Sequence, residues 1–512
     1  MMPSPRPTLA KILATIGPAS EKPEVIGRLI DAGVACFRLN FSHGTLEEHA
    51  VRLARIRAVA AEKGVPIGVL GDLPGPKIRI GRVPEGGIGV QAGEDIVLDP
   101  RLALAVASPG VGVPSRFGCT HAGIRGDVRV GHRVLINDGA IRGLAVEGEG
   151  GDGGGVLRVR VTTGGLISSG KGINLPESEV SLPAIGARDL ECVQWAVRNG
   201  VDYLALSFVR TAREVLELKE QLAGMCSVDG VGGGVAAAIP VISKIEKPQA
   251  LANIEEITAA SDGVMVARGD LGVEMDLAMV PVVQRTIIKT ADAFGKVCIV
   301  ATQMLESMIV SPVPTRAEAS DVATAVVQGA DAVMLSAETA TGAWPVLAVE
   351  TMRRVIQAAE GSIAGDRNEA PTPPAKVIQT GYRTAALAHG AWYVAHDIGA
   401  VLIVCWSQRG GVARYLSQTG LAIPIIAYSS SERETRRMAL LKGVTALCMA
   451  APAGSSLAEW NRRVDADLLG RGWAKPGEGV VLLAGRPLGV QGAANTLAVH
   501  YVGDESSGFY KH

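Results

Sequence analysis

Three short stretches of this sequence set polar and charged side chains two residues apart. In "FRLNFSHG", Arg38, Asn40 and Ser42 alternate with Leu39 and Phe41; "ISKIE" holds Lys244 and Glu246, and "ARGDLG" holds Arg268 and Asp270. In an extended chain such residues share one face. A buried strand has little use for Arg, Asn and Ser on one side, so the pattern reads as a strand end at a site or, more blandly, as a strand end in water. Glu246 and Asp270 are two carboxylates that could grip one hard cation beside Lys244, leaving positions for water and phosphate, an arrangement that suits Mg2+. A structural ion pair between Lys244 and Glu246 is the alternative. The "GDLG" turn after Gly269 offers backbone N–H groups to a carboxylate or phosphate. Thr302, in "ATQMLESM", adds a hydroxyl, unless that hydroxyl serves its own backbone. Ser336 and Glu338, in "SAETATG", read as supports for these groups.

These residues need elements that converge. Eight short apolar runs supply them: "KILATIG", "ACFRLNFS", "IGVLGDL", "DYLALSFV", "PVISKIE", "GVMVARGD", "VCIVATQM" and "DAVMLSAE". Most precede an amphipathic helix, among them "TLEEHAVRLARIRAVAAEKG", "MVPVVQRTIIKTADAFG" and "RAEASDVATAVVQG", several closed by a glycine. That alternation predicts an α/β chain built on a (β/α)8 TIM barrel, whose chemistry sits at the C-terminal ends of the strands. The polar pairs above occupy those ends. The rhythm breaks once, after the third run, where residues 76–179 carry Gly- and Val-rich stretches such as "DVRVGHRVLI" and "VLRVRVTTGG". They are expected to form an inserted small β-barrel, with "EGEGGDGGG" as a hairpin tip. The barrel would then comprise residues 1–75 and 180–362. After a polar linker, "GDRNEAPTPPAK", residues 363–512 are expected to form a C-terminal open-sheet α/β domain with strands "GAVLIVCWS", "IPIIAYSS" and "GEGVVLLAG". There "CWSQRGG" joins a strand to a helix. Its Ser407, Gln408, Arg409 and Gly410 would suit a phosphate or form an ordinary turn, with "AGRPLGVQG" as neighbour.

Composition narrows the classes. Apolar residues make up 47% of the 512-residue chain but aromatic ones only 4%, which favours buried parallel strands of Ala, Val, Leu and Ile. A net charge of −1 argues against a nucleic-acid surface. No apolar run approaches the roughly 18 residues of a membrane span, and Pro7 and Lys11 interrupt any leader-like core. Seven scattered cysteines without a CxxC pair fit reduced thiols, hence a cytoplasmic setting.

Taken together, "KILATIGPAS", "FRLNFSHG", "GPKIR", "GKGINLP", "SKIE", "ARGDLG", "ATQMLESM" and "SAETATG", in this order and spacing, resemble the pyruvate kinase family over nearly the whole chain. The resemblance implies a phosphotransferase that moves the phosphoryl group of phosphoenolpyruvate to ADP, giving ATP and pyruvate, the last step of glycolysis. It implies Mg2+ on Glu246 and Asp270, with Mn2+ able to substitute. Lys244 and Arg38 would act on the phosphoryl group, the Gly269 and Asp270 amides on the substrate carboxylate, and Thr302 on the proton-delivery side. Nucleotide contacts would come from Asn40, His43, Arg79 and Lys171, although His43 alone reads equally as a surface residue. The insert would serve as a lid, the 407–410 loop as a phosphorylated-effector site, and the assembly would be a homotetramer.

In K+-dependent members, the positions of Asn40, Ser42 and Asp72 and the carbonyl of Leu73 coordinate K+. Those members resemble Asp-Thr-Lys-Gly-Pro-Glu-Ile-Arg-Thr where this chain has "DLPGPKIRI". Leu73, Lys77 and Ile80 depart from that pattern and resemble the K+-independent branch, so Lys77 is expected to act as a built-in cation at the Asp72 corner. Two other classes remain open on the residues alone. A different Mg2+-dependent barrel enzyme of phosphoenolpyruvate or 2-oxo acids would explain the carboxylates but not the insert, Arg79 or Lys171. A silent phosphometabolite-binding relative would have lost Lys244, Arg38 or a carboxylate.

Overall fold

The computed structural model describes residues 8–110, 112–146, 155–228, 239–366, 374–379, 381–420, 423–490 and 494–509. Most of the "EGEGGDGGG" tip, the body of the polar linker and the end of "AGRPLGVQG" lie outside them. Eight strands close a parallel barrel: β1 (Lys11–Thr15), β2 (Val34–Asn40), β3 (Gly68–Asp72), β4 (Tyr203–Leu206), β5 (Val241–Ile245), β6 (Gly263–Ala267), β7 (Val297–Ala301) and β8 (Ala332–Leu335). Each neighbours the next in sequence, and β8 returns to β1. β1, β3, β4, β6, β7 and β8 are buried at every residue, which is why they read as continuous apolar runs.

Local signals fix the surrounding helices. The helix Leu46–Lys63 opens with a reciprocal capping box between Thr45 and Glu48 and ends on Gly64 at φ 65°. Thr315 and Glu318 open the helix Arg316–Val327 in the same way.

The insert wraps a six-stranded sheet and a two-stranded pair around its own core, which includes Phe117, Ile136, Val159 and Ile173. Only part of "DVRVGHRVLI" is extended, Arg133–Ile136; Asp127 ends a short helix and Gly131, at φ 88°, turns the chain between them. The insert leaves and rejoins the barrel close to one point, since Arg79 bridges to Gly172.

The C-terminal sheet has the order β11 (Val444–Cys448), β10 (Ile425–Ser429), β9 (Leu402–Trp406), β12 (Gly479–Gly485) and β13 (Ala494–Tyr501), with only β13 antiparallel. β11 and β13 were not anticipated from the sequence; β11 is half-exposed on one face, and β13 carries mixed polarity. One side of this sheet packs around Trp460. The other side joins Leu13, Leu70, Ile242, Met265 and Ile299 from inside the bottom of the barrel into one continuous core. Polar ties reinforce that joint: Lys11 Nζ donates to the Val444 carbonyl at 2.7 Å, and Asp202, fully buried, takes Arg57 from the barrel and Arg436 from the C-terminal domain.

Candidate active site

Strand pairing sets the site. β2 and β3 align Asn40 with Asp72, so Arg38 and Asp72 meet diagonally across the pair at the C-terminal rim. Arg38 Nε donates to Asp72 Oδ2 at 2.7 Å, and its Nη1 to Thr15 Oγ1 at 3.2 Å. From the other side, Lys244 Nζ lies 3.3 Å from Asp72 Oδ1 and 2.9 Å from Glu246 Oε1. Burial alone would favour a neutral Lys244, but the carboxylates of Asp72 and Glu246 outweigh it and hold the ammonium above the usual lysine value. Asp72 is buried as well; Lys244 and Arg38 overcome that cost and keep its carboxyl below the ordinary range.

Glu246 is fully buried at the end of β5. Its Oε2 accepts the Phe208 N–H at 2.6 Å, while Oε1, although beside Lys244, accepts no directed hydrogen bond. Burial first, and then the negative charge of Asp270, push its carboxyl upward against the pull of Lys244. A buried carboxylate whose Oε1 is ion-paired with Lys244 but accepts no directed hydrogen bond, with a second carboxylate nearby, fits a site for a divalent cation. Among the described residues no group of three or more His, Cys, Asp or Glu is placed to hold a metal ion by itself.

Arg268 and Asp270 do not point the same way, as even spacing in a strand would have required. β6 ends at Ala267 and a helix, Arg268–Glu274, begins at once, which sends the two side chains apart. Arg268 turns inward to Asp321 and to the carbonyls of Thr302 and Gln303, at 2.6 and 3.0 Å. Those two residues sit at φ 70° and 52°, a strained turn that the guanidinium clamps. The Thr302 hydroxyl is engaged twice, donating to Ala301 O at 2.5 Å and accepting the Gly269 N–H at 2.7 Å. The own-backbone role and the site role of Thr302 therefore coexist, and one of the two free amides expected at the "GDLG" turn is held by it. Glu338 braces the same loops, accepting from Leu305 N and Ser336 N.

The expected nucleotide contacts fall into two groups. Arg79 and Lys171 lie on the crossing strands of the insert, with Arg79 Nη1 donating to Gly170 O at 2.9 Å and the Lys171 carbonyl accepting from Ile80 N. Asn40 and the exposed His43 stand on the barrel, joined by the His43 N–H to the Asn40 carbonyl. Among the described residues no hydrogen bond links one group to the other.

Lys77 departs from expectation. It does not join the Asp72 corner, which Arg38 and Lys244 already fill; its Nζ lies 3.9 Å from Asp270 Oδ1. The reason is the exit turn at Gly75, φ 68°, after which Lys77 runs up the insert with its stem against Gly172. At the K+ positions, Asn40 Oδ1 accepts Ser42 N, and the Leu73 carbonyl accepts Ser207 Oγ at 2.7 Å.

Ser207 and Phe208 were missed in the sequence. Ser207 Oγ accepts from Lys244 Nζ at 2.8 Å and so ties the lysine to β3; Phe208, at φ 56°, turns its N–H onto Glu246. A serine directly after the apolar "YLAL" is the same strand-end signal that marks Arg38 and Lys244. In the C-terminal loop, Ser407 Oγ accepts the Ala413 N–H at 3.1 Å and Gly410 turns at φ 74°.

Comparison with known proteins agrees with this geometry. The family model described as "Pyruvate kinase, barrel domain" matches residues 8–349, and "Pyruvate kinase, alpha/beta domain" matches residues 385–500. A pyruvate kinase of Mycobacterium intracellulare is 39% identical over 495 residues, covering 97% of this chain and 98% of that protein. One of Geobacillus stearothermophilus is 38% identical, covering 96% of this chain and 80% of that protein. The crystal structure of a pyruvate kinase from Cryptosporidium parvum superposes with a TM-score of 0.83 at 31% identity, covering 96% of each chain. Barrel, strand-end cluster and full-length similarity converge on one conclusion: the chain belongs to the pyruvate kinase family.

Proposed function

We propose that this chain transfers the phosphoryl group of phosphoenolpyruvate to ADP, producing ATP and pyruvate. The observation that carries the reading is the Lys244 ammonium held between Asp72 and Glu246, with the Arg38 guanidinium on the far side of Asp72. Phosphoryl transfer has a loose transition state, so alignment and charge neutralisation are what a protein contributes. Lys244, kept protonated by its neighbours, stabilises the phosphoryl group in flight and then the enolate left behind. Arg38 holds the transferring group from the barrel rim. The Asp270 amide takes the substrate carboxylate, joined by the Gly269 amide only when that N–H leaves Thr302 Oγ1, and Thr302 acts on the side from which carbon three is protonated. Glu246 and Asp270 are the residues that would hold Mg2+ or Mn2+, which when bound supplies positive charge to the phosphoryl and carboxylate oxygens.

Asn40 and His43 from the barrel, with Arg79 and Lys171 from the lid, take the nucleotide, and lid closure excludes water from the transfer. Leu73, Lys77 and Ile80 support activity without K+. A homotetramer and a phosphorylated effector at Ser407, Gln408, Arg409 and Gly410 complete the reading, as does a cytoplasmic location, which five buried free thiols among the described residues support. The test is a coupled assay for pyruvate release with and without ADP. ADP-dependent release is expected, and Lys244→Met should abolish it while leaving the circular dichroism spectrum intact. Release without ADP, or near-normal turnover in that variant, would overturn the reading.

A further inference from the structure

The insert approaches the barrel along the whole of one short helix, Arg268–Glu274, the helix that carries Asp270. At its first turn, Lys77 faces Asp270. One residue before its end, a Cβ placed on Gly139 of the insert would lie 3.7 Å from Val273 Cγ1. At its last residue, Asn174 Nδ2 of the insert donates to Glu274 Oε1 at 2.8 Å, and Lys247 Nζ reaches the same oxygen at 2.7 Å. Glu274 is wholly buried and Asn174 nearly so.

A buried carboxylate is tolerable only with good partners. Lys247 supplies the charge and Asn174 the directed bond, one from each side of the joint. Glu274 Oε2 and Asn174 Oδ1 have no protein partner among the described residues, so the cluster is only half satisfied. A cleft lined by Lys77, Asn174, Phe208, Arg210 and Lys247 opens beside it. Swinging the insert away would strip Glu274 of its amide, while moving the helix would drag Asp270 with it.

We propose that Asn174, Glu274 and Lys247 form a positioning node that sets the posture of the lid against the Asp270 helix, so that lid movement and placement of Asp270 are one event. The inference rests on the lid role proposed above. None of the three residues needs to touch substrate; they act through the helix.

The test pairs Asn174→Asp, which sets a second carboxylate against Glu274, with the double variant Asn174→Asp/Glu274→Gln, which restores an amide–carboxylate pair in reversed order. Hydrogen–deuterium exchange of the ligand-free full chain, read at the lid crossings near residues 75 and 180, reports posture without turnover. Loss of a buried hydrogen bond to a charged group predicts exchange faster by about tenfold in the single variant and within about twofold of the natural chain in the double. In turnover the KM for ADP should rise by about tenfold in the single variant with kcat changed less than about twofold, because saturating nucleotide re-closes the lid. Should Asn174→Asp fail to fold, Asn174→Ala, which only deletes the amide, gives the same exchange readout. Unchanged exchange in the single variant, or no rescue in the double, overturns the node. Altered exchange without any ADP-dependent pyruvate would overturn the proposed function instead and leave the node standing.

Discussion

Around Asp72 two cations, Arg38 and Lys244, converge on one carboxylate, and that convergence decides what Lys77 can do. Arg38 and Lys244 already neutralise the corner where K+ would bind, so the Lys77 ammonium settles 3.9 Å from Asp270, on the side of the proposed metal ligands. Its proposed role as a tethered cation therefore acts through Asp270 and the phosphate region rather than through Asn40 and Ser42. Full activity is expected in buffer whose only monovalent cation is tetramethylammonium. Lys77→Glu, which faces Asp270 with a second carboxylate, should lower kcat/KM by about tenfold or more and introduce a dependence on added cation. Strong activation of the natural chain by K+ would refute this. Residue types at strand ends were legible because apolar strands leave polar residues conspicuous. Ser207 was not, because a lone serine carries no charge to draw the eye, and the direction of Lys77 depended on a glycine turn whose sense no spacing encodes.

Elements were read best where burial is two-sided. All eight barrel strands were visible as apolar runs, whereas β11 and β13 and the turn at Gly131 were not, because half-exposed strands and insert hairpins lack that contrast. The start of the Arg268–Glu274 helix shows the limit: one residue of boundary decides whether Arg268 and Asp270 share a face. Close packing between elements gives a further check. A Cβ on Gly71 of β3 would lie 2.7 Å from Phe41 Cε2, and Phe41 in turn packs edge-on against Trp195, ring centroids 5.6 Å apart. Gly71→Ala should cost about 1–3 kcal/mol through overpacking. Differential scanning fluorimetry should show a lower Tm, and the emission of Trp195 should shift; an unchanged Tm would mean that β3 and the outer helices are looser than their contacts imply.

At the scale of the whole molecule, the joint between barrel and C-terminal domain holds an ionisable group that opposes its own burial. Burial raises the Asp331 carboxyl from 3.8 to about 6, against Lys442 and the Cys298 N–H that favour its charge. The folded chain therefore binds this proton more tightly than the unfolded one. Its contribution favours folding below pH 3.8 and is lost as pH rises through about 6. The shift corresponds to roughly 3 kcal/mol, to order of magnitude. Asp331→Asn keeps an acceptor for Cys298 without the charge, so its Tm relative to the natural chain should climb as pH goes from about 4 to about 7. A constant difference across that range would place the cost elsewhere.

The same joint bears on how the protein can be taken apart. The insert, with a core of its own, is a module that a designer could exchange at its two crossings. The C-terminal domain is not, because the barrel's interior runs straight into it and Leu13, Leu70, Met265 and Ile299 share one core with Ile403 and Ile425. Ending the chain after the helix Pro345–Asp366 would leave the barrel a cup without a base, its greasy bottom open to water and to other copies of itself.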